Sequence, residues 1–328
     1  MLLCISKQTK NLVKNVLRDH PKPGRIQYVP HGIDEKKFFP IINDFEFEAF
    51  KENLLGKEEM DFVVLWNSRN IRRKNPSDII LAWRTFLDQL PKEKAKKCLL
   101  IMHTDPVDQN GTDLPALIRA LSPNYNVQFS TGKLPNTQLN YLYNAASMTC
   151  QPSSAEGFGL SVMESIMSGT PVLGSVIGGI QDQLGFMKDD GTPVTLKDFS
   201  AKWPSNSDGK YTKHGEWAFP VWPQINLQGS PMTPYIYDSR PSVKDIAKQL
   251  KNAHSLGRTE LKRRGLVGRE WAIENGFNSK GMCQAFIDSV QSCFANFKSR
   301  DRFTVISAED PKIFYPDGII FGDIDKGE

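Results

Sequence analysis

An α/β fold, with a parallel sheet and helices on both faces, is predicted from the alternation of apolar and amphipathic segments. From Asp61 onward, short continuous apolar runs are separated by stretches with helical periodicity. Strands buried on both faces read as continuous apolar runs, and strand–helix alternation favours parallel pairing. Right-handed crossovers then give a Rossmann-like layer structure. The predicted strands are Phe62–Trp66, Cys98–Met102, Val127–Phe129, Met148–Cys150 and Pro171–Leu173, and the helices between them are Pro76–Leu90, Asp113–Leu121 and Thr137–Ala146.

The segments outside this alternation divide the chain into three parts, which are 1–30, a main domain over 31–297 and a tail over 298–328. In the first part, a strand-like start leads into a helix from Lys7 to Arg18 with an apolar face, which Pro21, Pro23 and Gly24 should end. Within the main domain, 186–238 is rich in Pro, Gly, Ser and Trp and is predicted to be an irregular insertion. Further expected elements are strands at Ile26–Val29, Trp217–Val221 and Tyr235–Tyr237, and helices at Ser242–Leu256, Glu260–Glu274 and Lys280–Phe297.

Composition excludes several functional classes. The net charge of +4 on 328 residues is too slight to indicate a nucleic-acid partner or a membrane surface. None of the five cysteines forms a C-x-x-C pair, and the odd number argues for a reducing, cytoplasmic compartment and against a zinc site. No apolar run approaches the roughly 20 residues of a membrane span. Peripheral association with a membrane stays open.

The segment from Ser153 to Ser165 is the most informative motif, because it sets two carboxylates, Glu156 and Glu164, eight positions apart around two glycines. It closes a predicted strand and opens a predicted helix. Free amides and a positive dipole end at such a helix start suit an anion. Carboxylates repel phosphate but accept hydrogen bonds from hydroxyls, so the pattern favours a phosphorylated sugar compound. The alternative is a capped helix in which Gly157 and Gly159 only shape a turn.

A second group of charged residues follows the first predicted strand, where Arg69, Arg72, Arg73 and Lys74 precede a helix that begins near Pro76. Asn75 is expected to cap this helix with its side chain, and Asp78 to complement its dipole. Basic side chains at the positive end of a helix cost stability, and a bound anion would remove that conflict. Both charged segments lie at carboxyl ends of strands, where ligands bind in open α/β sheets. A solvated basic loop is the alternative.

Three weaker features have ordinary structural explanations. The segment 174–179 is glycine-rich but lacks both common phosphate-loop patterns, so a turn that allows close packing near the ligand is preferred. His31 is interpreted as a turn residue rather than a catalytic base. A set of aromatic residues could form a sugar-stacking platform, but a flap that covers the core is the preferred interpretation: Trp217, Phe219, Trp222, Tyr235 and Tyr237.

Taken together, these segments resemble the retaining glycosyltransferases of the two-domain GT-B fold, especially glycosyltransferase family 4. Glu156 to Glu164 is similar to the E-x7-E motif of that family, and Arg69 and Lys74 resemble its diphosphate-binding Arg and Lys. The resemblance covers roughly 26–184 well and the later helices more loosely. Two further segments resemble family motifs in the same order: Pro30-His31-Gly32-Ile33-Asp34 with Phe39 and Pro40, and Gly169-Thr170-Pro171-Val172.

The resemblance implies a role for each matching residue. Arg69 and Lys74 would neutralise the diphosphate as its bond to the sugar breaks, and Glu156 would hold hydroxyls of the donor sugar. Glu164 would accept hydrogen bonds from the ribose. The cosubstrate would be a UDP- or GDP-linked sugar, with no metal and no other cofactor. Further donor contacts would come from the backbone amides of Phe158, Gly159 and Leu160 and from the base-binding segment at Lys133 and Leu134.

The chain departs from the family mainly at its start. Complete GT-B enzymes place an acceptor-binding Rossmann domain of roughly 150 residues before the interdomain segment. In this chain the segment that resembles it is Pro30–Asp34, and about 30 residues precede His31. The expectation is therefore the donor-binding half of a glycosyltransferase, with an unknown acceptor and an N-terminal domain that is largely missing or supplied separately. The alternative is a non-catalytic nucleotide-sugar-binding subunit or remnant that needs a partner domain. A sugar-nucleotide epimerase of the same fold ranks below both.

Overall fold

The computed structural model describes residues 1–17, 26–56, 60–200 and 203–297. Its elements follow the alternation that the sequence predicts. The strands are β1 (Leu2–Cys4), β2 (Ile26–Tyr28), β3 (Phe62–Asn67), β4 (Cys98–His103), β5 (Val127–Ser130), β6 (Met148–Gln151), β7 (Val172–Ser175), β8 (Ala218–Val221), β9 (Pro223–Ser230) and β10 (Thr233–Pro241). The helices are α1 (Lys7–Leu17), α2 (Phe45–Leu55), α3 (Pro76–Leu87), α4 (Lys92–Lys96), α5 (Leu114–Leu121), α6 (Asn136–Ala145), α7 (Leu160–Met167), α8 (Val243–Glu274) and α9 (Ser279–Ala295).

The central sheet is six-stranded and entirely parallel, in the order β5-β4-β3-β6-β7-β8. Strand order runs outward in one direction from β3 and in the other from β6. The connections therefore leave β3 and β6 toward opposite sides, and a crevice opens beyond the carboxyl ends of these two strands. This is the α/β Rossmann-like fold that the sequence predicts, and the crevice lies where both charged segments follow their strands.

Two hydrophobic cores cover the two faces of the sheet, as alternation along β3 illustrates. Val63 and Leu65 pack into the core with α6 and α7, whereas Phe62, Val64 and Trp66 pack into the core with α3 and α8. Successive side chains of a strand point to opposite faces, and all five are at most 1% exposed. The strand is therefore apolar throughout because both of its faces are covered.

The five strands predicted from Asp61 onward are confirmed, with ends that shift by one or two residues. The segment 186–238 is more regular than expected. Its residues 218–221 form the outer strand β8 of the central sheet, and β9 and β10 pair as an antiparallel hairpin. The strands predicted at Trp217–Val221 and Tyr235–Tyr237 are confirmed as β8 and within β10, whereas β9 was not predicted. Its proline and glycine obscured it in the sequence, although both residues are tolerated at edges and in hairpins.

Near the start of the chain, β1 and β2 pair in parallel beside α1. The apolar side of α1 is not buried in the structure, and Val16 is 76% exposed. The residues expected to end this helix, Pro21, Pro23 and Gly24, lie outside the described residues, as does the tail 298–328. Within the part that is described, no helix has both the length and the apolar character needed to cross a bilayer.

Helix α8 is a single element with a kink. Ser242–Leu256 and Glu260–Glu274 are predicted as separate helices, and the structure joins them in α8 with a break at Gly257. Gly257 has φ of 74°, a conformation that glycine adopts without the penalty of a side chain. The predicted boundary is therefore confirmed as a kink.

Candidate functional site

Two turns at the carboxyl ends of β3 and β6 form the site. After β3, a short 3-10 turn over Arg72–Lys74 leads into α3, which begins at Pro76 as predicted. After β6, an irregular segment leads to Gly159, which has φ of 91° and directly precedes the first residue of α7. A Cβ at Gly159 would lie 2.9 Å from Ile180, so this turn requires glycine for both conformation and space.

Lys74 and Glu156 join the two turns. The Lys74 Nζ donates a hydrogen bond to Glu156 Oε1, which also accepts one from the Ser153 hydroxyl at 3.0 Å. Arg73 Nη1 lies 3.4 Å from the other carboxylate oxygen. The side chains of Lys74 and Glu156 are only 12% and 7% exposed. Burial lowers the pKa of Lys74, and the charge and hydrogen bond of Glu156 oppose that shift.

Glu164 is positioned by a chain of hydrogen bonds from β3. The Tyr143 hydroxyl donates to Glu164 Oε2 at 2.7 Å, and Asn67 Nδ2 donates to the Tyr143 oxygen at 2.8 Å. Tyr143 on α6 is fully buried. Burial raises the pKa of Glu164, and the hydrogen bond from Tyr143 lowers it. The carboxylate is thus fixed at the rim of a cavity by groups that sequence reasoning did not identify.

A cavity of about 470 Å³ lies between these groups. Its wall combines Lys74, Glu156 and Glu164 with the start of α7, where the first amides of the helix have no intrahelical partner. The arrangement offers a cation, two carboxylates and free amides to one ligand. The complete lining is Ile5, His31, Asn67, Lys74, Leu139, Glu156, Phe158, Gly159, Leu160, Ser161 and Glu164.

The glycine-rich turn at 174–179 packs against the back of this cavity. A Cβ at Gly178 would lie 1.8 Å from the Glu156 carbonyl oxygen, and one at Gly179 would lie 2.5 Å from Phe158 Cα. Gln183 Nε2 then donates to the Phe158 carbonyl at 2.6 Å. The close packing predicted for this turn is confirmed, and it is made against residues 156–158.

The predicted cap at Asn75 is wrong in its mechanism. Asn75 adopts a left-handed conformation with φ of 52°, and its side chain does not accept a hydrogen bond from α3. Its amide instead donates to the Pro152 carbonyl at 2.8 Å and to the Ser154 hydroxyl at 2.9 Å. These hydrogen bonds to the β6 turn fix the orientation of the Asn75 side chain in place of capping, and they hold the two turns together. Asp78 pairs with Arg240 through two hydrogen bonds, of 2.7 and 2.6 Å.

Three predicted site residues lie away from the cavity lining. Arg69 is 64% exposed and pairs with Asp108, with Nε 2.8 Å from Oδ2. Lys133 is exposed in the loop before α6, and Leu134 packs against the hydrophobic core. The structure therefore brings together Lys74, Glu156, Glu164 and the predicted amide segment, while Arg69, Lys133 and Leu134 stand outside that group.

Three residues of the site were missed or given another interpretation. Asn67 ends β3, so the rule that ligands bind at carboxyl ends of strands could have identified it. Tyr143 carries no such signal, because it reads as one more aromatic residue of an amphipathic helix. His31 was interpreted as a turn residue, yet its ring lines the cavity and contacts Phe158 edge-on, with 5.2 Å between ring centroids.

A comparison with known proteins finds a family match for the central region of the chain. Residues 47–192 match the family model described as Glycosyl transferases group 1. Two curated relatives are both named D-inositol 3-phosphate glycosyltransferase. The protein from Salinispora arenicola is 29% identical over 177 residues, which are 52% of this chain and 39% of the relative. The protein from Acidothermus cellulolyticus is 32% identical over 162 residues, which are 48% of this chain and 35% of the relative. The matches thus span well under half of each relative.

Solved structures share the fold at low sequence identity. A glycosyltransferase from Rickettsia africae aligns with a TM-score of 0.63 and 15% identity, over 90% of this chain and 64% of its own. The Anabaena protein HepE, solved in complex with UDP-glucose, aligns with a TM-score of 0.61 and 14% identity, over 89% of this chain and 64% of its own. Residues 47–192 are thus similar to glycosyl transferases group 1 domains, and the solved structures show that the chain has the α/β Rossmann-like fold found in GT-B glycosyltransferases.

Proposed function

We propose that this chain binds the donor of a nucleotide-sugar-dependent glycosyltransferase, of the hexosyltransferase type, in the cavity between Lys74, Glu156 and Glu164. The observation that supports this most is that one cavity is lined by a largely buried lysine, a carboxylate from the other turn and a carboxylate from helix α7. A nucleotide sugar needs a cation for its diphosphate and acceptors for its hydroxyls, and this cavity offers both.

The proposed roles follow from this chemistry and from the resemblance to glycosyltransferase family 4. Lys74 neutralises the diphosphate as the glycosidic bond breaks, and fixed positive charge at the leaving group lowers the barrier. Glu156 holds hydroxyls of the sugar, and Glu164 accepts from the ribose. The amides of Phe158, Gly159 and Leu160 assist at the helix start. In this proposal the transfer retains the anomeric configuration and needs no metal.

Arg69 takes part only if it changes partner. Its guanidinium is held by Asp108 at the same edge of the sheet, in an exposed pair. Solvent screens an ion pair made by an exposed guanidinium, which makes it weak, so a diphosphate that carries more charge competes with Asp108 for Arg69. We propose that Arg69 turns to the donor on binding, and that Lys133 and Leu134 contact the base from the neighbouring loop.

The nucleotide base of the donor and the identity of the acceptor are the next questions for this site. HepE was solved with UDP-glucose, which favours testing UDP-linked sugars before GDP-linked ones. The acceptor-binding part of the enzyme lies outside the residues that line this cavity, in the same polypeptide or in another. A non-catalytic subunit would retain donor binding but show no transfer when an acceptor-binding domain is supplied.

Calorimetric titration tests the proposal. UDP-glucose should bind to the full chain, while uridine and glucose added together at equal concentration should bind far more weakly, because neither supplies the diphosphate. Lys97→Ala is a matched control for Lys74→Ala, since Lys97 is an exposed lysine at the opposite end of the sheet. Absence of binding by every UDP- or GDP-linked sugar would contradict the proposal.

A further inference from the structure

A second cavity, of about 650 Å³, lies on the other side of the two turns that carry Lys74 and Glu156. Arg73, Ser154 and Ala155 form the wall between the two cavities. Arg73 Nη1 donates to the Ala155 carbonyl at 2.7 Å and also approaches Glu156. Arg73 therefore contacts Ala155, which lines the second cavity, and Glu156, which lines the first.

The β9–β10 hairpin lies along the outer side of this cavity. Its face toward the cavity is mostly polar, and its face away from the cavity is apolar. Alternate residues Gln228, Asp238 and Arg240 line the cavity, together with Ile236. The opposite face is apolar and exposed: Ile225 is 53%, Leu227 66%, Tyr235 66% and Tyr237 70% exposed. The cavity side of the hairpin is itself open to solvent, since Ile236 is 50% exposed and the Arg240 side chain is 57% exposed. The cavity is therefore accessible to a polar ligand from solution.

Among the charged side chains that line the cavity in the described part of the chain, both carboxylates have hydrogen-bond partners and Arg72 has none. Asp78 is occupied by Arg240, and Asp238 Oδ2 accepts from Gln228 Nε2 at 2.8 Å. Arg72 is exposed, and its guanidinium has no hydrogen bond or ion pair within the ranges that the structure describes. Its five N–H donors are thus available beside those of Arg73 that are not used at the wall.

We propose that this cavity binds a phosphoryl group, with Arg72 as its main anchor and Arg73 as the contact shared with the donor cavity. Guanidinium groups match phosphate oxygens bidentately, and two of them from adjacent positions can hold one phosphoryl group from two sides. The inference goes beyond the proposed function, because the donor diphosphate is assigned to the other side of the wall. The phosphoryl group belongs either to a small phosphorylated molecule or to a phospholipid headgroup.

The first experiment titrates the full chain with glycerol 3-phosphate, followed by broadening of its phosphorus NMR signal, with saturating UDP present. Glycerol 3-phosphate should bind in the presence of UDP, and glycerol should not bind. Displacement of glycerol 3-phosphate by UDP would overturn the proposal, since the ligand would then occupy the donor cavity. If UDP itself fails to bind, the donor proposal fails while this measurement stands.

Two variants of opposite effect test the anchor. Arg72→Gln should weaken glycerol 3-phosphate binding roughly tenfold, because a charge-assisted hydrogen bond is lost. Asp238→Asn should strengthen binding, because a negative charge that faces the cavity is removed. Arg119→Gln, at an exposed arginine of α5, is the matched control and should bind like the unmodified protein. Equal affinity of Arg72→Gln and Arg119→Gln would overturn the proposal.

A flotation assay distinguishes the two sources of the phosphoryl group. If the source is a phospholipid, the chain should float with vesicles of phosphatidate and phosphatidylcholine, should not float with phosphatidylcholine alone, and should lose flotation in Arg72→Gln. If the source is a small molecule, glycerol 3-phosphate binds and no vesicle does. Failure of both probes at millimolar phosphate would overturn the proposal.

Discussion

The Tyr143 hydroxyl donates a hydrogen bond to Glu164 Oε2 at 2.7 Å from a fully buried position on the neighbouring helix. Asn67 Nδ2 donates to the same hydroxyl. The second carboxylate of the motif is therefore fixed by groups from β3 and α6, and its geometry depends on the packing of α6 against α7 and not only on the spacing within α7.

Removal of the Tyr143 hydroxyl should change the pH dependence of nucleotide binding. The hydrogen bond lowers the pKa of Glu164 while burial raises it, so Tyr143→Phe should raise that pKa further. A protonated Glu164 accepts ribose hydroxyls less well, so UDP affinity should begin to fall at a higher pH than in the unmodified protein. Calorimetry across the mildly acidic to neutral range measures this. Tyr141→Phe on the same helix is the control and should bind UDP with the pH profile of the unmodified protein. The same profile for Tyr143→Phe would contradict the role of Tyr143 in positioning Glu164.

Glu164→Ala should remove discrimination against dideoxynucleotides. The proposed contact is with ribose hydroxyls, and loss of a hydrogen bond to a charged group costs about 1.5–3 kcal/mol. Wild-type protein should therefore bind UDP more than about tenfold better than 2′,3′-dideoxy-UDP. The variant should bind both nucleotides with similar, weak affinity. If the preference for UDP survives in the variant, Glu164 does not contact the ribose.

Lys74→Ala should weaken diphosphates far more than nucleosides. Loss of the charged contact should reduce UDP affinity by roughly ten- to a hundredfold and leave uridine affinity nearly unchanged. The variant also removes one partner of the Glu156 carboxylate and leaves Arg73 and Ser153 beside it. The double variant Lys74→Ala with Glu156→Gln should therefore recover part of the lost stability in urea unfolding. Equal losses of UDP and uridine affinity would count against the assigned role.

The free energy of unfolding should fall as the pH rises through the range where Asp182 titrates. Burial raises the pKa of Asp182 from 3.8 to about 6, so between these values the folded chain binds more protons than the unfolded chain. Stability then decreases with rising pH, by about 3 kcal/mol at most. Asp182 accepts a hydrogen bond from the Lys7 amide at 2.8 Å and faces Tyr28.

Asp182→Asn tests this dependence, because it removes the titrating group and keeps a polar side chain of the same size. Denaturant unfolding at several pH values should show a flatter profile for this variant. Asp189→Asn, at an exposed residue of the following loop, should keep the wild-type profile. If the free energy of unfolding falls with pH equally in wild type and both variants, Asp182 does not cause this pH dependence.

Gly178→Ala should destabilise the protein and distort the donor cavity. The added Cβ would lie 1.8 Å from the Glu156 carbonyl oxygen, and φ at this position is 44°. Gly191 is the matched control, because its φ is 84° but a Cβ there meets nothing within 4 Å. Gly191→Ala should cost about 1 kcal/mol from backbone strain alone. Thermal unfolding should separate the two, and equal midpoints would show that the turn at Gly178 yields easily.

The sequence was sufficient for the parallel sheet and for the two turns at its edge, because continuous apolar runs and charged strand ends follow directly from burial. It was insufficient where tertiary partners decide. Asn75 has the composition of a cap, yet partners on the β6 turn take its side chain. Tyr143 reads as a core aromatic, and only the packing of α6 brings its hydroxyl to Glu164. Arg69 was predicted as a site residue from a family resemblance, but its orientation toward Asp108 depends on a loop about 40 residues away.

Thermal unfolding with UDP, GDP and ADP tests most directly whether the cavity between Lys74, Glu156 and Glu164 binds a nucleotide. A ligand that binds only the folded state raises the unfolding midpoint with its concentration. We expect at least one of these diphosphates to raise the midpoint at millimolar concentration, and Lys74→Ala to abolish the increase while Lys97→Ala retains it. An unchanged midpoint with all three nucleotides would contradict the account.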